Sequence, residues 1–567
     1  VPAAYKYLSR ASPVSTKGLD TDRPDSTDRA QVTVVLASRS STRQRLDAIA
    51  CMANQLPQDR RYLTCDELAE RHGARRESAT LVTDFASGHQ LEVVETSLAR
   101  RSVVLSGSLE KLSKAFGVEF VTGRHAHGRY RTFQGRIRIP TQLARHVSAV
   151  LGLTNRPVLR RDVALTGTET AAKAVDPLEM ATRYDFPKYT GKGETIGTIV
   201  LGGGVYLDDV QQYLQARGSA RPIQIVEVGT ARNRPASAKL IHDCLKSVGL
   251  EEVHAAVRTV AQGKGLDPPG PVRLTPQQVA EFTWTLEATM DVELIAALAP
   301  GASITVYVAD NSELGKFDAL SRAICDPQGP SVISCSWGNE ELEFTHEWMR
   351  LIDELFQMAA LTGVTLCYSS GDDGDGTRDG GPPCAHFPAS SPHVLACGGT
   401  NASMRGTRLV ETVWSQLFAK ELLESGGGVS MYFARPSWQA GARVPRPPDS
   451  RGRDARRGRG VPDVAAKANF GPGYDVRVAG VDGPFGGGTS AAAPLWAALT
   501  ARLNEGLGAR CGHLTPLLYA RRLRGTTRDI VKGSNGAFKA RPGWDACTGW
   551  GSPRGQRLMA ALRGRRS

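Results

Sequence analysis

Gly487-Gly488-Thr489-Ser490-Ala491-Ala492-Ala493-Pro494 runs directly into the apolar stretch Leu495-Trp496-Ala497-Ala498-Leu499. The serine stands between a turn that suits glycine and a segment that reads as the start of a buried helix. At a helix N-terminus the backbone N–H groups lack intrahelical partners and the dipole favours negative charge. A serine nucleophile needs such a place, because its attack on a carbonyl generates an oxyanion. A capped helix after a glycine turn accounts for a bare Gly-Thr-Ser. The longer string, with proline closing the first turn, points to a nucleophile, and a nucleophile requires a base.

Around this string the chain reads as α/β. Residues 194–201, 304–309, 332–336 and 364–368 are short, mostly apolar strands separated by helical stretches. That pattern suits a parallel sheet with helices on both faces, whose ligands collect at the C-terminal strand ends. Residues 230–275 interrupt it with a polar, partly helical insertion. Upstream, strands at 32–37, 91–95 and 102–107 alternate with helices at 65–71 and 108–116, the last with Ser108 as its cap. These form a small α+β unit from Gln31 to about Arg160. Residues 1–30 are polar and read as a disordered tail, and 162–178 read as an exposed linker where proteolysis concentrates.

Bulk properties narrow the function. At 567 residues, 41% hydrophobic and 22% charged, the chain is expected to be a soluble protein of two or more domains. No 18-residue apolar window exists; the nearest, 292–309, contains Glu293 and Pro300, so no membrane span is expected. The first thirty residues lack the apolar core of a signal peptide, so an export signal is not evident. The net charge of +13 would suit nucleic acid. Its arginines, however, gather at 451–459, at Arg156, Arg160 and Arg161, and at Arg563, Arg565 and Arg566. None is interleaved with aromatics, so solvated segments are expected and no nucleic-acid partner. Ten cysteines include no C-x-x-C. Cys335, Cys367 and Cys397 read as core thiols, and Cys511 with Cys547 as a candidate pair.

Among 11 histidines none sits in a setting typical of a serine hydrolase base. The helical stretch 278–298 instead places Glu287 and Asp291 on one face, one turn apart. Like charges so placed titrate together, and a carboxylate base works in mildly acidic solution, where histidine is protonated. Glu-x-x-x-Asp is ordinarily a solvated helix face; the apolar neighbours Val292, Leu294, Ile295 and Leu298 argue otherwise here. Directly after the strand at 364–368 comes Ser369-Ser370-Gly371-Asp372-Asp373-Gly374. A protonated Asp372 at this strand end could donate to an oxyanion, although a Gly/Asp turn or a metal loop fits the same residues.

Together these residues resemble the sedolisin family of serine-carboxyl peptidases, with the nearest likeness to its kumamolisin-type bacterial members. The likeness is carried by Glu287-x-x-x-Asp291 with 296–302, Ser334-Cys335-Ser336-Trp337-Gly338, Gly371-Asp372, 460–465 and 487–494, in that order. It implies a subtilisin-like parallel sheet with flanking helices, Ser490 as nucleophile, Glu287 as general base, Asp291 as the residue that orients and charges it, and Asp372 as the oxyanion acid. It further implies that 60–157 belong to a pro-domain that chaperones and inhibits. Near the C-terminus it implies one structural calcium ion, held by the side chains of Asp529 and Asp545 and the carbonyls of Ile530, Arg541 and Gly543. Two carboxylates with backbone carbonyls are the hard oxygen ligands this ion prefers. Two departures stand out. Val200 occupies the place of a Glu that extends the family's carboxylate chain, and Asp373 adds a carboxylate beside Asp372.

The resulting expectation is a tail at 1–30, a pro-domain at 31–160, a cleavable linker at 161–180 and a calcium-stabilised catalytic domain at 181–567. The protein would be a secreted, monomeric, acid-active endopeptidase that cuts polypeptides and frees itself from its own inhibitor. Two rival readings remain, a tripeptide-releasing exopeptidase of the same family and an inactive relative that binds peptides or polyanions through 451–459.

Overall fold

The structure is a computed structural model and describes residues 5–8, 23–125, 128–157, 160–161, 174–218, 221–247, 275–377, 382–418, 421–446 and 458–564. Its larger unit is built on an eight-stranded sheet. The order is Ile223–Glu227, Ser303–Ala309, Thr195–Leu201, Val332–Cys335, Thr365–Ser369, Leu395–Arg405 and Arg408–Val413, and Val464–Lys467 also pairs with Leu395–Arg405. The pairings are parallel except the last, between Leu395–Arg405 and Arg408–Val413. Their near-continuous apolar sequences follow from burial on both faces.

Alternation along each strand sorts side chains into two cores. Ile196, Val200, Val306 and Cys367 face the helices Pro276–Leu298 and Gly488–Leu507. Ile199, Leu201, Ile333 and Tyr368 face Glu313–Cys325 and His346–Thr362. Thr275 starts the Pro276–Leu298 helix with a reciprocal capping box to Gln278, and Pro276 pre-sets its first turn.

The smaller unit is a four-stranded antiparallel sheet in the order Glu92–Ser97, Ser102–Ser108, Arg29–Leu36 and Val147–Leu151. Helices Thr42–Ala53, Cys65–His72, Arg76–Gly88 and Leu109–Phe116 accompany it, the last capped by Ser108 as expected. The two units share a core: Val35, Ile49, Leu68 and Leu151 lie in one apolar cluster with Phe317, Leu320, Met349 and Ile352. Beyond it, the chain forms a second contact. Arg160–Arg161 adds as an antiparallel strand to Trp337–Glu340, with Arg161 opposite Trp337 and Arg160 opposite Gly338.

Several expectations change. Tyr5–Tyr7 is not disordered but pairs with Arg138–Pro140, and Arg136 and Arg138 stack over the two tyrosine rings. The expected linker is ordered at both ends: Arg161 is in the added strand, and Asp176 caps the helix Pro177–Arg183. Its middle, 162–173, lies outside the described residues, as do 248–274 of the insertion, 451–457 of the basic segment, and Arg565 and Arg566 of the tail. Arg459, counted with that solvated run, is fully buried and paired with Asp463 at 2.6 Å, because its guanidinium also feeds the carbonyls of Ser391 and Gly460. Cys511 and Cys547 do not pair; both are buried free thiols, and the Cys547 Sγ lies 3.3 Å from Asn535 Oδ1.

Candidate active site

Ser490 is the third residue of the Gly488–Leu507 helix and is fully buried. Gly488 enters the helix at φ +71°, a left-handed conformation that favours glycine. The proline at 494 does not end this helix, which continues to Leu507. Its effect is local. In an α-helix the carbonyl of residue 490 would accept from the N–H of 494, and proline has none. Ser336 Oγ lies 3.3 Å from that carbonyl and 2.9 Å from Asp291 Oδ1. The missing helical bond thus makes room for a side-chain link between the Ser490 helix and the acidic helix.

Glu287 and Asp291 are both at 0% exposure, not on a solvated face. The Pro276–Leu298 helix is buried nearly all round from Phe282 onward, its polar residues Thr285, Thr289 and Glu293 as deeply as the apolar Leu286, Met290 and Leu294. Trp284, one turn before Glu287, packs its ring 6.5 Å from that of the buried Trp337. Val200 lies in the apolar cluster with Leu286 and Met290, so this position packs and supplies no carboxylate.

Asp372 follows the C-terminal end of Thr365–Ser369. Its Oδ1 accepts from the Thr489 N–H at 2.8 Å and from Thr489 Oγ1 at 2.7 Å, while Thr489 Oγ1 accepts from the Gly371 N–H at 3.1 Å. Gly371 sits at φ +103°, and a Cβ there would lie 2.5 Å from His386 Nδ1. The residue beside Ser490 therefore anchors Asp372, and Ser336 links Asp291 to the backbone of Ser490. In the sequence Ser336 and Thr489 stand within the motifs above without an evident role. A serine just past a strand's C-terminal end is the signal for the first, and a hydroxyl beside Ser490 is the signal for the second.

At the C-terminal end of the chain, Asp529 Oδ2 accepts from the Gly543 N–H at 2.8 Å, and Asp545 Oδ2 from the Arg541 N–H at 3.2 Å. Asp545 Oδ1 takes the N–H groups of Cys547 and Thr548. Burial raises the carboxyl of Asp545 to about 6 and that of Asp529 more modestly. Among the described residues no group of three or more His, Cys, Asp or Glu side chains could hold a metal. A cation here would rest on two carboxylates and loop carbonyls. That all-oxygen donor set, one carboxylate of which is costly to bury as an anion, fits calcium.

Residues 17–156 match the family model described as Pro-kumamolisin, activation domain, and residues 284–551 match the Subtilase family. The chain is 36% identical to Kumamolisin of Bacillus sp. (strain MN-32), over 94% of this chain and 92% of that protein. The chain belongs to the sedolisin family of serine-carboxyl peptidases. It is 29% identical to Sedolisin of Pseudomonas sp. (strain 101), over 75% of this chain and 69% of that one. The structure of Pseudomonas sedolisin complexed with two molecules of pseudo-iodotyrostatin superposes with a TM-score of 0.53 at 26% identity, covering 70% of this chain and 99% of that one. The fold of this sedolisin-family member is subtilisin-like, and the protein is a serine peptidase with an activation pro-domain. No helix among the described residues is long and apolar enough to cross a membrane.

Proposed function

We propose that this protein is an acid-active serine-carboxyl endopeptidase made as a self-activating zymogen. The observation that carries the reading is the strand Arg160–Arg161, added to Trp337–Gly338 beside Ser336. On this reading an interior stretch of the chain stands where a polypeptide substrate would lie. A site that admits the middle of a chain suits an endopeptidase, whereas a tripeptide-releasing enzyme must end its cleft at a free amino terminus.

In this mechanism Ser490 Oγ attacks the scissile carbonyl carbon and its proton passes to the Glu287 carboxylate. Asp291, held by Ser336, orients Glu287 and keeps the region anionic. Glu287 then protonates the leaving amine, and an acyl-enzyme on Ser490 remains. Water attacks it with Glu287 again as base, and the proton returns to Ser490 as the acid product leaves. Asp372 donates to the oxyanion in its protonated form. Its Oδ1 is occupied by Thr489, so the donated proton resides on Oδ2. A carboxylate base and a carboxylic-acid donor both suit acidic solution, and an extracellular workplace is part of the proposal.

Asp529 and Asp545, with the carbonyls of Ile530, Arg541 and Gly543, would hold one calcium ion. Bound there, the ion neutralises the two carboxylates and ties the loop to the fold. The decisive experiment holds the purified full-length protein at pH 4 and follows its mass, then measures a pH–activity profile on a peptide library. Shortening that depends on Ser490, and activity abolished by Glu287→Gln, support the mechanism. Equal shortening in Ser490→Ala, or retained activity in Glu287→Gln, overturns it. Product sizes from a denatured protein separate internal cleavage from tripeptide release.

A further inference from the structure

Lys316 is a charged residue that the mechanism above does not use. It lies in the first turn of Glu313–Cys325 and is at 0% exposure. Its Nζ donates to the carbonyl of Trp337 at 2.8 Å, and the Tyr368 ring centroid lies 5.2 Å from the same atom. The Cys335 Sγ approaches that carbonyl at 3.9 Å. A buried ammonium is costly, and burial lowers its proton affinity. Packing alone would be served by leucine or methionine at this position.

The carbonyl that Lys316 takes belongs to the strand that carries Arg160–Arg161. Along a strand successive residues direct their N–H and C=O groups to opposite edges. With the Trp337 carbonyl drawn inward to Lys316, the N–H and C=O of Gly338 face the other edge, where Arg160 stands opposite. One buried cation therefore fixes which edge of Trp337–Gly338 faces Arg160.

We propose that Lys316 is a positioning residue that fixes the Trp337–Gly338 edge for pairing with the backbone of the polypeptide substrate. The proposal rests on the reading that substrates occupy the place of Arg160–Arg161. It makes no claim on substrate side chains, because Lys316 acts through main-chain groups.

The test uses acid-converted protein and three peptides with one scissile bond: a short core, the core extended by three residues at its N-terminus, and the core extended at its C-terminus. In wild type one extension should lower KM. Lys316→Met should raise KM on that extended peptide about tenfold, with kcat per titrated Ser490 and KM on the core within about twofold. Lys316→Gln keeps a donor on a shorter arm and should show the same selective loss at about threefold; it decides the question if Lys316→Met does not fold. Wild-type KM ratios in the folded variants would overturn the proposal. So would an equal loss on all three peptides, which marks a merely structural lysine. A wild type indifferent to both extensions refutes the docking reading itself, and with it the role of Lys316, independently of any variant.

Discussion

The pro-domain meets the catalytic domain in two places made of opposite materials. At the cleft, Arg160–Arg161 contributes backbone to the Trp337–Gly338 strand. Elsewhere the contact is made by side chains. Arg45 and Arg101 converge on the buried Glu354, with Arg101 at 2.9 Å and Arg45 at 3.4 Å, and Arg350 joins at 3.0 Å. Arg60 donates to the carbonyls of Cys511 and His513, and Thr33 Oγ1 reaches both oxygens of Asp318. Backbone pairing accepts almost any extended chain, so under the proposed function substrates compete at the first contact. The second depends on side chains particular to this pro-domain. Holding the inhibitor and admitting substrate would then rest on different contacts.

The most severe way to break this division is chemical. Ser490→Ala and Glu287→Gln should each reduce turnover about 10⁴-fold or more while leaving the pro-domain docked, read by initial rates and by gel filtration of the uncleaved chain. Asp372→Ala should cost about 10²- to 10³-fold. Asp372→Asn, which donates without needing a proton, should keep more of the activity and carry it to higher pH.

On the side-chain contact, Glu354→Gln would leave Arg45 and Arg101 buried without their counter-charge. That costs about 3 kcal/mol, or roughly a hundredfold in docking. The full chain should then mature at neutral pH, seen as a mass change that wild type lacks. Undisturbed latency would show that the cleft strand alone holds the inhibitor.

Asp318 sharpens the comparison because its sign is opposite. Burial against the pro-domain raises its carboxyl to about 7, partly offset by Arg100. A raised carboxyl makes docking favour the protonated form. Its contribution is complete below the ordinary carboxylate range near pH 4 and is lost as pH rises through 7. Asp318 therefore works against release by acid. Asp318→Asn should hold the pro-domain about tenfold more tightly at pH 7 and flatten the dependence between pH 4 and 7, measured as maturation rate against pH. The smallest effect belongs to the C-terminal loop, remote from both contacts. Chelation, or Asp545→Asn, should lower the melting temperature by about 5 °C without changing the peptide preference.

Much of this site is local in origin and could be read from the chain. The glycine-framed Ser490, the one-turn spacing of Glu287 and Asp291, and Asp372 just past a strand each follow from short-range geometry. What sequence reasoning missed depends on partners far apart. Pro494 matters because it leaves the Ser490 carbonyl to Ser336, which lies 154 residues away in sequence. Lys316 looks like a surface lysine in a capped helix until the sheet closes over it. Arg459 reads as part of a solvated run along the chain, and only the fold brings Asp463 and two carbonyls to its guanidinium.

The sequence by itself determined the strand–helix alternation that builds a parallel sheet and the chemistry proposed for it: a serine nucleophile without histidine, and acids in place of the base and of the oxyanion amide. Residue type and spacing along one helix or one strand are enough for that, because they act within a turn or two of chain. Only the tertiary structure decided which of these acids are buried, which hydroxyls join them, and which edge of Trp337–Gly338 pairs with Arg160–Arg161. Those are matters of desolvation and of hydrogen bonds between distant segments, and they come into being only when the sheet brings the segments together.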